Sequence, residues 1–297
     1  MKKGILVFLL ALLLAMPVLA QEYRAGDTII FGRYEQDNDL SNGPEPIAWR
    51  VLSVEGDRAL LISRYCLDAQ PYNRIAGQAS WVNSSLRAWL NFSFYPTAFT
   101  EEEQDLVLAT TMKNWHEYET TDRVFLLDNW QAKELFADHP DRMAKPTAYT
   151  EAQWAYISKD YGPGNVHWWL RTISWESGNM ASFVAASGGV MTCGGETLGK
   201  IEYPRITVRP CITLDLTRFT PDPTLVAYER TPKALITHDV LVNVRSEPNA
   251  NSAKVGTVTP TRTYPLLGVA DNGWAQIQLE DGTVGYISPK MYRRVDY

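Results

Sequence analysis

Cysteine is scarce in this chain: Cys66, Cys193 and Cys211 are the only three among 297 residues. That excludes a disulfide scaffold, which relies on many bridges where a core is too small. An exported chain has room for one bridge, as 66–193, 66–211 or 193–211, and the sequence does not choose among them. A basic excess is also missing. Lys and Arg number 28 against 34 Asp and Glu, a formal net charge of −6, which disfavours a nucleic-acid binder and its usual basic patch or stripe. The four histidines, His116, His139, His167 and His238, show no His-Glu-x-x-His pair or other metal-ligand spacing. No metal site and no cofactor is therefore expected. There is no Gly-x-Ser-x-Gly elbow, and Ser187-Gly188-Gly189 reads as a turn. No internal repeat or low-complexity tract appears.

What is present is a globular composition, 45% hydrophobic and 21% charged, with length for about two domains at roughly 150 residues each. The apolar residues are unevenly spread. Met1-Lys2-Lys3 is a short basic start, Ile5–Ala15 is wholly apolar, and Met16-Pro17-Val18-Leu19-Ala20 leads into polar sequence. This is the pattern of a secretory signal peptide over residues 1–20, with cleavage expected after Ala20. The apolar run is too short for an ordinary spanning helix, and no later stretch is long enough. The expectation is a secreted, soluble protein with no stable membrane span after cleavage. The leader carries two lysines and no acid, so its removal takes the charge to −8. Residues 235–297 hold six basic and six acidic residues, so the whole excess lies in 21–234. An acidic surface of that kind is ordinarily a solvated face and suits anionic polymers poorly when charge alone must hold them.

Between Thr217 and Ala234, Pro221, Pro223 and Pro232 interrupt any apolar periodicity. Proline removes backbone donors and holds its predecessor extended, which predicts a semi-stiff linker over 217–234. Before it, Ile47–Val54 and Ala59–Ser63 flank Glu55-Gly56-Asp57-Arg58, a hairpin signal. Leu86, Trp89 and Leu90 share helical spacing. Thr100 with Glu103 forms a capping box, because each side chain satisfies the other's orphan N–H. Val124–Leu127 predicts a short buried strand and Asn129–Phe136 a helix, and from Tyr161 onward the chain is Gly-rich and β-like. The larger domain is expected to be α+β.

Several stretches together resemble a bacterial extracellular family, the domain-of-unknown-function 6273 family. They are Phe31-Gly32-Arg33-Tyr34, Pro46–Leu52, Ala59–Ser63, Leu67-Asp68, Trp81–Asn91, Phe94–Phe99, Asp122–Leu127, Trp168-Trp169-Leu170-Arg171 and Val208-Arg209-Pro210. The resemblance spans nearly all of 21–216 and implies a C-type-lectin-like fold of the formylglycine-generating-enzyme group. It implies no activity. That group uses a close cysteine pair, and the three cysteines here lie far apart in sequence, so no catalytic residue carries over.

The C-terminal stretch, residues 235–297, resembles a bacterial SH3 (SH3b) domain. The carrying residues are Val242-Asn243-Val244-Arg245-Ser246-Glu247-Pro248, Lys254–Val258, Gly273–Ile277 and Gly282–Ser288, with Glu247 where the family usually has Gly. Short β runs separated by Asn-Gly and Asp-Gly turns agree with a small all-β SH3-like barrel.

A catalytic site needs a nucleophile, a base and an oxyanion environment together. Cys66 with His116 or His139 would be the constellation of a cell-wall hydrolase, but Cys66 sits in apolar strand sequence, where a buried thiol is the plainer reading. Glu101, Glu102, Glu103 and Asp105 belong to a helix start, where acids favour the macrodipole. Trp168 and Trp169 should face opposite sides of a strand, so that at most one enters the core. Arg171 and Arg209 are expected in structural ion pairs. Trp175, Glu176, Asn179 and Glu196 lie where lectin-like folds present a variable surface, and aromatic, carboxylate and amide groups there suit a sugar or peptide. Trp274 and Tyr286 would line a peptide groove of the SH3b module, although Trp274 is as readily core. The sequence thus leads to a non-enzymatic envelope protein. Its lectin-like domain would recognise an extracellular glycan or peptide while the SH3b module engages peptidoglycan or another envelope polymer or peptide. A hydrolase using Cys66 and a scaffold with a surface protein partner are the alternatives.

Overall fold

The computed structural model describes residues 22–159, 162, 164–174, 177–192 and 199–295. The predicted leader, Trp175, Glu176, Cys193 and Glu196 lie outside them.

Strands are numbered along the chain. β1 (Thr28–Tyr34), β2 (Glu45–Glu55) and β3 (Arg58–Ser63) form an antiparallel meander. The predicted hairpin is present: Glu55 pairs with Arg58, and Gly56 turns the chain at a φ of 58°. That left-handed geometry favours glycine. β13 (Cys211–Asp215) continues the sheet beside β3, and β5 (Val107–Leu108) and β8 (Val124–Phe125) both pair with β13. A second sheet runs β11 (Val190–Met191), β10 (Ala181–Val184), β9 (Trp168–Ile173), β12 (Thr207–Val208) and β4 (Asp68–Ala69). β6 (Thr110–Met112) and β7 (Thr120–Asp122) make a separate hairpin.

Helices are short. α1 (Ser85–Trp89) runs on into a π turn, Leu90–Phe94, followed by α2 (Tyr95–Ala98) and α3 (Glu101–Gln104). The Thr100–Glu103 capping box closes as its residues require. Next come α4 (Asn129–Glu134), α5 (His139–Arg142) and α6 (Ala148–Ala152). Helix accounts for 13% of the structure, so the larger domain is mostly β, with helical turns as connectors. Helices of one or two turns cannot supply a layer of their own, and packing on the sheets holds them.

The two sheets share one core, and its centre overturns the expectation for the tandem tryptophans: Trp168 and Trp169 are both fully buried. Their side chains do leave opposite faces of β9, but both faces are covered. Trp168 meets Phe136 and donates its indole N–H to the Arg142 carbonyl at 3.2 Å. Trp169 meets Tyr72 and Phe183 and donates to the Gln70 carbonyl at 2.8 Å. A strand sandwiched on both sides has no solvent face.

The segment after β13 lies along the larger domain. Phe219 packs on Phe31 and Tyr23, Tyr228 on Tyr65, and Arg230 pairs with Glu151. A second core follows, built from Ala234, Ile236, Val242, Val244, Val258, Tyr264, Leu266, Ala275, Ile277 and Ile287. It belongs to an all-β unit ordered β16 (Lys254–Val258), β15 (Val242–Arg245), β19 (Val284–Ile287), β18 (Ala275–Gln278), β17 (Thr263–Val269), β14 (Lys233–Ile236) and β20 (Tyr292–Val295).

Candidate functional site

The β6–β7 hairpin and α4 form the walls of a groove of about 430 Å³. One wall is the hairpin loop, Lys113-Asn114-Trp115. The other is the start of α4, Asp128-Asn129-Trp130, with Lys133 one turn on; Thr172 and Thr192 also line it. Trp115 is 56% and Trp130 60% exposed, although indole is among the most costly surfaces to leave in water. The Lys133 ammonium lies 5.6 Å from the Trp130 ring centroid.

Local chemistry fixes each tryptophan. The Asn114 side chain donates to the Tyr118 carbonyl at 2.8 Å and the Thr120 hydroxyl at 3.1 Å, tying the base of the loop. His116 takes a φ of 56° and its ring meets Trp115 edge-on. On the other wall Asp128 caps α4 and Gln131 reaches back to the Asp128 N–H, a second capping box. A cap of this kind stabilises a short helix by about 1 kcal/mol. The Asn129 N–H donates to the Thr172 hydroxyl at 3.1 Å, while its side-chain Oδ1 is buried without a partner.

Arg171 joins the two walls. It is 4% exposed, and all five of its N–H groups are used. Nε donates to Asn114 Oδ1 at 3.2 Å and Nη2 to the Lys113 carbonyl at 3.4 Å, on the loop side. Nη1 donates to Gln131 Oε1 at 2.6 Å and the Leu126 carbonyl at 2.9 Å, and Nη2 to Asp128 Oδ2 at 2.6 Å, on the helix side. Burial pulls its pKa below the usual arginine range, and the Asp128 charge opposes that shift. The expected ion pair is therefore present, and it also sets the spacing of Trp115 and Trp130.

Arg209 differs from expectation. Among the described residues no carboxylate pairs with it; it donates to the Ser63 carbonyl at 2.9 Å and the Arg142 carbonyl at 3.3 Å and lies over Trp168 and Phe136. Carbonyl dipoles and ring faces supply what a carboxylate would have.

The other predicted positions separate. Asn179 is exposed, and its carbonyl accepts from the Ile201 N–H at 3.2 Å. Its neighbours Ser177 and Gly178 share a smaller pocket, about 290 Å³, with Trp115, His116 and Glu117. Asn179 itself lines neither that pocket nor the groove, and Trp115 is common to both. Trp274, just before β18, and Tyr286 are both half-buried, with Tyr286 on β19 between Arg245 of β15 and Gln276 of β18.

Cys66 and Cys211 are free, fully buried thiols, so the 66–211 bridge is not formed. Burial pushes Cys66 up to about 11 and Cys211 up to about 12. A thiol in that state supplies no nucleophile near neutral pH. Among the described residues, the groups with the spacing to hold a cation are Glu35, Asp37 and Glu45, whose oxygens lie within 4.8 Å of one another. Glu45 already accepts from the Gln36 N–H at 2.7 Å and the Asp37 N–H at 3.1 Å, which makes this an acidic turn braced by its own backbone.

The groove escaped sequence reasoning. Its signal was two Asn-Trp dipeptides, at 114–115 and 129–130, each in polar surroundings.

Comparison with known families places this geometry. The family model described as a bacterial SH3 domain matches residues 239–292, within the all-β unit. No curated protein matches the chain. The model described as a domain of unknown function, DUF6273, matches residues 56–216, more than half of the chain, including both walls of the groove and Arg171. The chain belongs to the DUF6273 family and carries a bacterial SH3 domain at its C-terminal side.

Proposed function

We propose that this is a secreted, non-catalytic binding protein of the bacterial cell envelope. Its DUF6273 domain, a C-type-lectin-like unit in this reading, binds a saccharide in the Trp115–Trp130 groove, and its SH3 domain attaches it to the cell wall. The observation that carries the reading is the pair of exposed indoles held across one groove by a single buried guanidinium. Flat aromatic faces stack on sugar rings, and the amide and hydroxyl groups beside them suit sugar hydroxyls. Rigid anchors lose little entropy on binding. Bacterial SH3 domains commonly bind cell-wall peptidoglycan, which supports the attachment half. Burial of the Cys66 thiol supports binding over hydrolysis.

Cosedimentation with purified cell walls separates the two halves. The full chain should pellet, and a chain ending before Lys233 should stay in solution. Trp115→Ala/Trp130→Ala should pellet normally yet fail to retain soluble oligosaccharides on the wall-bound protein. Equal oligosaccharide retention by this variant would end the groove reading; equal pelleting of the truncated chain would end the anchoring one.

A further inference from the structure

Each wall of the groove presents one tryptophan and one lysine: Trp115 with Lys113 on the hairpin, Trp130 with Lys133 on α4. Among the described residues no carboxylate lies within ion-pair distance of either ammonium. The one acid in the described lining, Asp128, is engaged by Arg171 at 2.6 Å. The described lining therefore holds two lysines without a carboxylate partner, Lys133 having the Trp130 ring beside it at 5.6 Å. They stand in a stretch of net negative charge, with 28 acidic against 20 basic residues over 21–234. A neutral sugar needs only the indoles and the amides. Two lysines with no carboxylate of the described residues at ion-pair distance complement an anion, in a stretch of chain whose net charge is negative.

We infer that the ligand of this groove is an anionic saccharide, its ring stacked on Trp115 or Trp130 and its charged group held between Lys113 and Lys133. The inference rests on the saccharide reading above and adds the charge. Two sources share that chemistry, a carboxylate such as a uronic acid and a phosphate ester on a sugar. An ammonium is a compact point charge that accepts either, whereas a planar guanidinium fork would favour bidentate geometry. Both lysines are exposed, so the contribution of their charges falls with ionic strength.

Calorimetric titration of the full chain tests this with four probes: an oligogalacturonate, a phosphomannan oligosaccharide, neutral chitotetraose and hexaglutamate. At least one anionic sugar should bind, weaken as salt is raised, and lose about tenfold in affinity in Lys113→Gln/Lys133→Gln, the scale of a lost charge-assisted hydrogen bond. Trp115→Ala/Trp130→Ala should abolish binding, with melting temperatures of both variants confirming their folds. The preferred anionic sugar identifies the charged group. If chitotetraose binds as tightly, or the lysine variant is unchanged while the tryptophan variant is inactive, the charge inference is overturned and the saccharide reading stands. If hexaglutamate binds and no sugar does, both are overturned.

Discussion

Asp128 divides its carboxylate between a helix and a buried cation. Oδ1 accepts from the N–H groups of Trp130 and Gln131, both at 2.8 Å, and Oδ2 accepts from Arg171 Nη2 at 2.6 Å. The residue that starts the helix carrying one groove tryptophan therefore also neutralises the cation that spaces the other.

Asp128→Ala should remove the cap and strand Arg171 as a buried charge. Breaking one side of a buried pair costs about 3–5 kcal/mol, and the cap adds about 1. Asp128→Asn keeps an acceptor for the cap and should cost less. Urea unfolding of the three proteins measures both effects. An alanine variant within about 1 kcal/mol of wild type would show that Arg171 relaxes toward other acceptors.

His167 makes a pH-dependent contribution with a definite sign. It is 9% exposed, lies parallel to Tyr156 and accepts at Nδ1 from the Ala186 N–H at 2.9 Å. Burial lowers its pKa from 6.5 to about 4. Between those values the unfolded chain binds a proton that the folded protein does not, so stability falls as pH drops from about 6.5 to about 4. The loss approaches about 3 kcal/mol at the lower end. His167→Gln retains an acceptor and does not titrate, so its unfolding midpoint should fall less over that window. Parallel pH profiles for the two proteins would refute the assignment.

The thiols provide a direct check on the chemistry. Cys66 and Cys211 should resist iodoacetamide in the folded protein at pH 8 and react fully in denaturant, as mapped by mass spectrometry of the peptides. Both are fully buried and protonated at that pH, and the thiolate is the reactive form. Rapid labelling of Cys66 in the native state would revive a hydrolase built on that residue.

Local signals were legible in the sequence wherever one residue decides a conformation. Gly56 turns the β2–β3 hairpin, Thr100 and Glu103 close a cap three residues apart, and Cys66 is buried as its apolar neighbours implied. What needed the fold were relations between distant segments. Trp168 and Trp169 alternate as strand residues should, but alternation cannot say that both faces are covered. The groove was hidden for the same reason. Its walls are 15 residues apart in sequence, and Arg171, which holds them together, lies about 40 residues beyond the nearer one. Isolated surface tryptophans are unremarkable until a third residue sets them across a gap.

Glu151 holds the connecting segment to the larger domain. Its carboxylate pairs with Arg230 through one oxygen and with Lys233 at 2.9 Å through the other. Lys233 is the first residue of β14, so one side chain on α6 reaches both the linker and the second core's first strand. The Arg230 side chain is 6% exposed and also donates to the Pro146 carbonyl, while Tyr228 packs on Tyr65 at 5.7 Å and accepts from the Ala148 N–H at 3.4 Å. In Glu151→Gln the amide keeps the shape but leaves Arg230 as a buried cation without its anion, a strongly unfavourable state. The segment should relieve that cost by lifting from the domain, because opening a surface strap is far cheaper than unfolding a core. Trypsin reports the change at the residues concerned, since it cleaves after Arg230 and Lys233. Cleavage there should be at least about tenfold faster in Glu151→Gln, the ratio expected from as little as 1.4 kcal/mol of lost closure, with the circular dichroism of both proteins unchanged. Equal rates would mean that the aromatic contacts at Phe219 and Tyr228 hold the segment without Glu151.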